Sequence, residues 1–221
     1  MIINAVVPAK GNSTRVKDKN LQKVAGKSLV YLACERCLNT PSITNTYLDT
    51  EDQRIIDDVS ELVGKGLKII HRPIELASNT TSGNELIVFE QKNMVECDAV
   101  LHTYATAPLL TSKTMEMVLQ KFKASPDHDS FFTAVHFQEF LWDNSGNPVN
   151  FPMGALPNAV DLPEFWLETH GLYGIRTTAL NKLKRRLGEK VLPIEIPREE
   201  ALDINYGSDL ELLRILWKED E

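Results

Sequence analysis

The chain has 221 residues, 43% of them apolar and 25% charged, with 11 Gly and 11 Pro, which excludes collagen-like, low-complexity and broadly disordered sequences. Lys and Arg total 24 against 31 Asp and Glu, giving a net charge of −7; such a field repels polyphosphate, so no nucleic-acid or anionic-membrane binding is expected. No apolar run reaches the roughly 20 residues of a membrane span, no basic leader opens the chain, and the three cysteines (Cys34, Cys37 and Cys97) suit a reducing cytoplasm.

Apolar runs of strand length occur at Ile2–Val7, Thr46–Asp49, Leu67–Ile70 and Ala99–Thr103, each followed by a segment of helix length. The first helix is expected over Ser28–Leu38, where Leu29, Leu32, Ala33 and Leu38 share one face and Glu35 and Arg36 lie outside it. Thr50-Glu-Asp-Gln53, Ser82-Gly-Asn-Glu85 and Ser208-Asp-Leu-Glu211 each place a hydroxyl three residues before Glu or Gln, the capping-box pattern; Gly64 and Gly66 supply a stop for the first. Strands alternating with helices predict an α/β unit to about residue 125, with a mostly parallel sheet covered by helices on both faces.

From Ser130 to Gly171 the chain concentrates its aromatics, among them Phe131, Phe132, Phe137, Phe140, Trp142, Phe151, Phe165 and Trp166. This predicts a β-rich arm over 130–171 inserted in a single domain of 1–221, its aromatics covering a pocket or a second subunit. A strand at Leu172–Arg176, a basic helix at Thr178–Leu187, a strand at Val191–Ile196 and a helix at Asp209–Lys218 complete the expected order.

The densest functional signal follows the first strand: Pro8-Ala-Lys-Gly-Asn-Ser-Thr-Arg-Val-Lys-Asp-Lys-Asn20. In an open α/β sheet ligands bind beyond the carboxyl ends of the strands, where this loop would sit. It brings Lys10, Arg15, Lys17 and Lys19 into an otherwise acidic protein, and Gly11, Asn12 and Ser13 let backbone amides turn toward an anion. A triphosphate site is expected, against the alternative of a solvated basic loop. Gly26-Lys27-Ser28 lacks the glycine five residues earlier that a Walker A loop requires and reads as a turn and helix cap. Cys34-Glu-Arg-Cys37 falls inside a predicted helix with no second ligand pair, so its thiols read as buried and structural.

Pro8–Asn20, followed by Leu21-Gln-Lys-Val-Ala-Gly-Lys-Ser-Leu-Val30, resembles the N-terminal signature of the acylneuraminate cytidylyltransferases and, more distantly, the CMP-Kdo synthetases. Asp49-Thr-Glu-Asp52, Arg72-Pro-Ile-Glu-Leu-Ala77, Thr81-Ser82, Thr106-Ala-Pro-Leu109, Gly171 with Tyr173, and Leu202-Asp-Ile-Asn205 resemble later elements of that family in the same order. The resemblance implies a Rossmann-like sheet of the nucleotide-diphospho-sugar transferase type, with the arm joining a homodimer. It also implies transfer of CMP from CTP to an acidic keto-deoxy sugar, a nonulosonic acid or a relative, with release of pyrophosphate. Pro8, Ala9, Lys10, Gly11, Asn12, Ser13, Asn20, Arg72, Thr81 and Ser82 would bind the nucleotide, and Tyr104, Thr106, Gly171 and Tyr173 the acceptor.

In-line displacement at the α-phosphorus needs positioning and charge neutralisation above all, so Arg15, Lys19 and Asp203 are the expected catalytic residues. By the same resemblance Asp203 and Asn205 would hold Mg²⁺, with Mn²⁺ as an alternative ion, while Asp-Ile-Asn equally fits an Asx turn ahead of the last helix. Lys10, Asn12, Lys17, Asn79, Tyr104, Ala105, Leu110 and Asn205 depart from common family residues, several of them in the acceptor half. Those departures leave two alternatives open: another acid or phosphate acceptor, and a catalytically impaired CTP-binding subunit. Lys184, Arg185, Arg186 and Lys190 are candidate cations for an acceptor carboxylate, and His102 and Tyr104 could point into the cleft.

Overall fold

A computed structural model describes residues 1–217. In chain order the elements are β1 (Ile3–Pro8), β2 (Lys23–Val24), β3 (Lys27–Ser28), α1 (Leu29–Leu38), β4 (Asn45–Thr50), α2 (Gln53–Asp58), α3 (Ser60–Val63), β5 (Leu67–His71), α4 (Gly83–Lys92), β6 (Ala99–Thr103), α5 (Ser112–Lys123), β7 (Ser130–Phe137), β8 (Phe165–Arg176), α6 (Thr177–Leu183), β9 (Val191–Glu195) and α7 (Gly207–Leu216). The main sheet runs β5-β4-β1-β6-β8-β7-β9, while β2 and β3 form a small hairpin. β1 pairs in parallel with both β4 and β6, β4 with β5, and β7 with β9; β8 is antiparallel to β6 and β7.

The expected mostly parallel α/β sheet is therefore present, and its central strands are buried on both faces. Ala5, Val7, Leu48 and Leu101 join the core beneath α1 and α5, while Val6, Tyr47, Val100 and Ile175 meet Ile87 and Leu180 of α4 and α6 on the opposite side. Sequential strands travel outward from β1 through β4 to β5 and then return to β6 on β1's other flank. That reversal opens a crevice at the carboxyl ends of β1 and β6.

Ser28 caps α1, its hydroxyl accepting from Tyr31 N at 3.0 Å, and Gly26 (φ 80°) makes the turn of the hairpin before it. Two capping assignments differ from expectation. At the start of α2 the cap is Asp52, whose carboxylate accepts from Arg54 N at 2.8 Å, because Thr50 is still paired in β4. At α7 the carboxylate of Asp209 takes the amides of Asn205 and Tyr206, both at 2.7 Å; this starts the helix at Gly207 and leaves Ser208 inside its first turn. The expected helix end at Lys218 lies outside the described residues.

The basic helix is shorter than expected. α6 ends at Leu183, and Lys184 turns left-handed (φ 53°), a reversal that glycine usually announces and that this sequence does not signal. Lys184, Arg185 and Arg186 therefore lie in the turn after the helix. The region 130–171 also differs from a β-rich excursion, since Ser130–Phe132 pairs with Gly174, Ile175 and β9 inside the main sheet. Past a bulge at Thr133 and Thr169–Leu172, where Thr133 Oγ1 lies 2.8 Å from Thr169 Oγ1, the ends of β7 and β8 continue as a two-stranded ribbon. Between them, 138–164 is mostly irregular, with one isolated bridge from Trp142 to Pro148 and a short turn of 3-10 helix at Ala159–Asp161. Phe131 belongs to the core, its ring centroid 4.8 Å from that of Phe122.

Candidate functional site

The crevice between β1 and β6 holds a cavity of about 220 Å³. Pro8, Lys10 and Asn20 form one wall, Arg72 and Thr81 the floor side, and Tyr104 and Thr106 the other wall. Each comes from the carboxyl end of a strand or the turn after it, which is why one short crevice collects residues 98 positions apart in the chain.

The first loop is curled by its own side chains. Asn20 Nδ2 donates to Lys10 O at 2.9 Å, and Lys10 Nζ reaches Asn79 Oδ1 across the cavity mouth. Ala9 is buried, its amide bonded to Asp49 O at 2.9 Å. Gly11 and Asn12 face a separate shallow depression shared with Asp18 and Asp52. There the Gly11 amide donates to Glu51 Oε1 at 2.8 Å, and a Cβ at Gly11 would fall 1.9 Å from Asp52 Oδ2. Gly11 is thus required by close approach to α2, and the amide expected to turn toward an anion is bonded to a carboxylate. Ser13 is half-buried, whereas Asn12 and Arg15 are exposed.

A second group comes together at the far end of the loop. Lys19 Nζ donates to Ile204 O at 2.8 Å, and buried Ile204 is held in turn by its amide bond to Thr106 O at 2.8 Å. This pins Asp203 and Asn205 beside Lys19. Burial pulls the Lys19 ammonium below its usual pKa, and Asp203 opposes that shift. The Arg15 guanidinium stands 5.6 Å from the ring of Tyr206, and its charge, like that of Asp203, bears on Lys19. Asn205 Nδ2 donates to Asp203 Oδ2 at 2.6 Å.

Ser82 serves as the N-cap of α4: its hydroxyl accepts from Glu85 N at 3.2 Å and donates to Glu85 Oε2 at 2.8 Å. Ser82→Ala is expected to cost about 1 kcal/mol of stability in a thermal melt. Lost nucleotide affinity without lost stability would instead place that hydroxyl on the ligand. Arg72 is buried, its Nε and Nη2 both donating to Asp49 Oδ2, at 2.9 and 2.6 Å.

On the other side of Tyr104 lies a cationic corner in which Arg186, one of the candidate cations for an acceptor carboxylate, meets Tyr104 and Tyr173. The Arg186 guanidinium stacks 3.6 Å above the Tyr173 ring centroid and donates through Nη1 to the Tyr104 hydroxyl at 2.9 Å. The Arg186 amide is bonded to Asn84 Oδ1 at 2.8 Å, which sets the side chain at the positive end of α4. Glu168 is 3.9 Å from Arg186, and it accepts a short hydrogen bond from the Tyr173 hydroxyl. Gly171 O accepts from Thr103 Oγ1 at 3.0 Å, tying the bulge of β8 to the end of β6. His102 does not point into the cleft; it is fully buried, its Nε2 2.6 Å from Glu90 Oε2.

A strand-end cavity, a cationic loop and a carboxylate beside a half-buried ammonium define a protein that can seat a nucleotide and neutralise its phosphates. The sequence model of the cytidylyltransferase family matches residues 4–151, about two-thirds of the chain, and the chain belongs to that family. It is 25% identical to a pseudaminic acid cytidylyltransferase of Campylobacter jejuni, over 96% of this chain and 95% of that one. It is 26% identical to an 8-amino-3,8-dideoxy-manno-octulosonate cytidylyltransferase of Shewanella piezotolerans, over 78% and 74% of the respective chains. Its fold is that of a solved CMP:2-keto-3-deoxy-manno-octonic acid synthetase complexed with CTP, with TM-score 0.68, 17% identity and 98% of each chain covered.

Proposed function

We propose that the chain transfers CMP from CTP to a hydroxyl of an acidic keto-deoxy sugar of the nonulosonic class and releases pyrophosphate. The observation that carries this reading is the placement of one cavity between the Lys10–Asn20 loop and the Tyr104–Tyr173–Arg186 corner. The acceptor oxygen forms a bond to the α-phosphorus as the bond from that phosphorus to the β-phosphate oxygen breaks, and the hydroxyl proton leaves to solvent. Pro8, Lys10, Asn20, Arg72 and Thr81 seat the nucleoside end. Lys19 and Arg15 meet the charge on the phosphates, and Tyr104, Thr106 and Tyr173 meet the acceptor. The named activities of the Campylobacter and Shewanella relatives support the acceptor class.

The residues around Lys19 also bear on a divalent ion. Among the described residues no three His, Cys, Asp or Glu side chains gather as a metal cluster. Asp203 with a neutral Asn205 fits an ion that takes one protein carboxylate and completes its shell with phosphate oxygens and water, as Mg²⁺ does. When bound there, Mg²⁺ or Mn²⁺ would offset triphosphate charge. Residues 1–221 act as one domain in this reading. Three unpaired, buried cysteines support a reducing cytoplasm, and among the described residues no helix is long and apolar enough to cross a membrane.

The test is pyrophosphate release with CTP across a panel of acidic sugars; release that is independent of every sugar acid overturns the acceptor class. Arg186 supplies a sharper one. Its guanidinium at the positive end of α4 suits a carboxylate, so Arg186→Ala is expected to raise KM for the acceptor about tenfold or more. CTP affinity, read by calorimetry, should stay unchanged.

The 130–171 arm would join two copies. Leu156 and Val160 are more than two-thirds exposed, and Trp166 and Leu167 are about half exposed, so the arm leaves several large apolar side chains uncovered. Trp166→Asp is expected to convert a sedimenting dimer to a monomer.

A further inference from the structure

Behind the cavity wall a line of buried polar side chains connects Arg72 to Arg186. Arg186 can only donate, so the Tyr104 oxygen accepts from it, and the Tyr104 hydrogen goes to His102 Nδ1 at 3.1 Å. Burial, reinforced by Arg186, pushes the His102 pKa down to about 3, so its ring is neutral. With Nδ1 accepting, its one hydrogen is on Nε2 and is donated to Glu90 Oε2 at 2.6 Å. From the other end Arg72 donates twice to Asp49 Oδ2. Both arms of the line therefore donate inward, and they meet at two carboxyl groups.

Asp49 and Glu90 are completely buried and close enough that each shifts the other's titration, yet Asp49 Oδ1 and Glu90 Oε1 each lack a hydrogen-bond partner among the described residues. Two neighbouring carboxylates without water repel, and the bare oxygen of each has lost its hydration; one hydrogen between them removes both penalties. We propose that Asp49 and Glu90 share a single proton, and that Glu90 is thereby a positioning residue that sets Arg72 at the nucleotide cavity and Tyr104 beneath Arg186. Burial pushes both carboxyls up, to about 7, which puts the loss of the shared proton near neutrality. The charged groups bearing on the pair are Arg72, adjoining β5, and, past neutral His102 of β6, Arg186 after α6.

Once the proton leaves, two negative charges are pressed together, and relief comes from displacing Arg72, His102 or both. Affinity for the nucleotide should then fall as pH rises; this part of the inference rests on the nucleotide assignment above, whereas the shared proton does not. Infrared difference spectroscopy on the full chain, between about pH 6 and about pH 8.5, reads the proton directly, and calorimetric titration with CTP over the same range reads its consequence. The expected result is a carboxylic-acid carbonyl stretch that disappears with rising pH in the wild type and is absent in Glu90→Gln. Kd for CTP should rise about tenfold in the wild type across that range, and less than about twofold beyond the common titration of the terminal phosphate in Glu90→Gln. Asp49→Asn supplies a second variant for the infrared measurement. A carboxylic stretch missing at the lower pH, or surviving unchanged in both variants, overturns the shared proton. Identical pH dependence of Kd in wild type and Glu90→Gln overturns the positioning role. Should CTP bind to neither protein while the stretch behaves as expected, the nucleotide assignment fails and the shared proton stands.

Discussion

Lys19→Ala is expected to lower kcat for pyrophosphate release by about 10²- to 10³-fold, or about 3–4 kcal/mol in the barrier, while KM for CTP changes much less. The ammonium is half-buried, aimed by its 2.8 Å bond to Ile204 O, and held in the field of Asp203. A charge preset in that way interacts more strongly with negative charge building on phosphate oxygens than with a ground state that water can also solvate. Lys19→Arg should not restore the rate, because a planar fork cannot occupy the place of a compact ammonium whose donors are shared with a carbonyl. Steady-state kinetics that separate kcat from KM decide the matter, and an unchanged kcat removes Lys19 from the reaction.

Asp49→Ala should produce the largest loss of stability of any single change near the cavity. The Arg72–Asp49 pair is buried, with its closest contact at 2.6 Å, and removing one partner leaves a buried guanidinium facing the void; such losses run to about 3–5 kcal/mol. For a chain of this length that corresponds to a melting temperature lower by on the order of 10 °C. The same site imposes a pH dependence. A carboxyl whose folded pKa is raised to about 7 binds its proton more tightly in the folded chain than in the unfolded one. Its contribution is therefore complete below the ordinary Asp value near 4 and is lost as pH rises through about 7. Circular-dichroism melts across that window should show stability falling with pH in the wild type and a weaker slope in the variant.

The strands were legible because buried parallel strands are apolar along their length, as Ala99–Thr103 illustrates: all five residues are buried. The α1 boundary was legible through Ser28, and the α4 boundary through Ser82 and Glu85, because those caps use sequence neighbours. The start of α7 was not, because its cap runs backward from Asp209 to amides that precede the helix. The loop after β1 could be read from its charge contrast, but the bonding of the Gly11 amide to Glu51 could not, since the two residues are 40 positions apart. Arg186 was legible as one of four candidate cations for an acceptor carboxylate, but on a helix and without its partners. Its role as the lid of the Tyr173 ring depends on a left-handed turn at Lys184 and on Asn84 of another helix. Asp49, Glu90 and His102 stand on three different elements, and nothing local marks them as partners.

Ile204 closes the site from the far end of the chain by bonding at once to Lys19 and Thr106. Synthesis proceeds from the amino terminus, so a growing polypeptide can build the central strands and the basic loop long before the segment that fixes Asp203 has left the ribosome. A product truncated before residue 200 would keep most of the sheet and lack the clasp. Competence for chemistry is thus deferred until Asp203 and Ile204 have been translated.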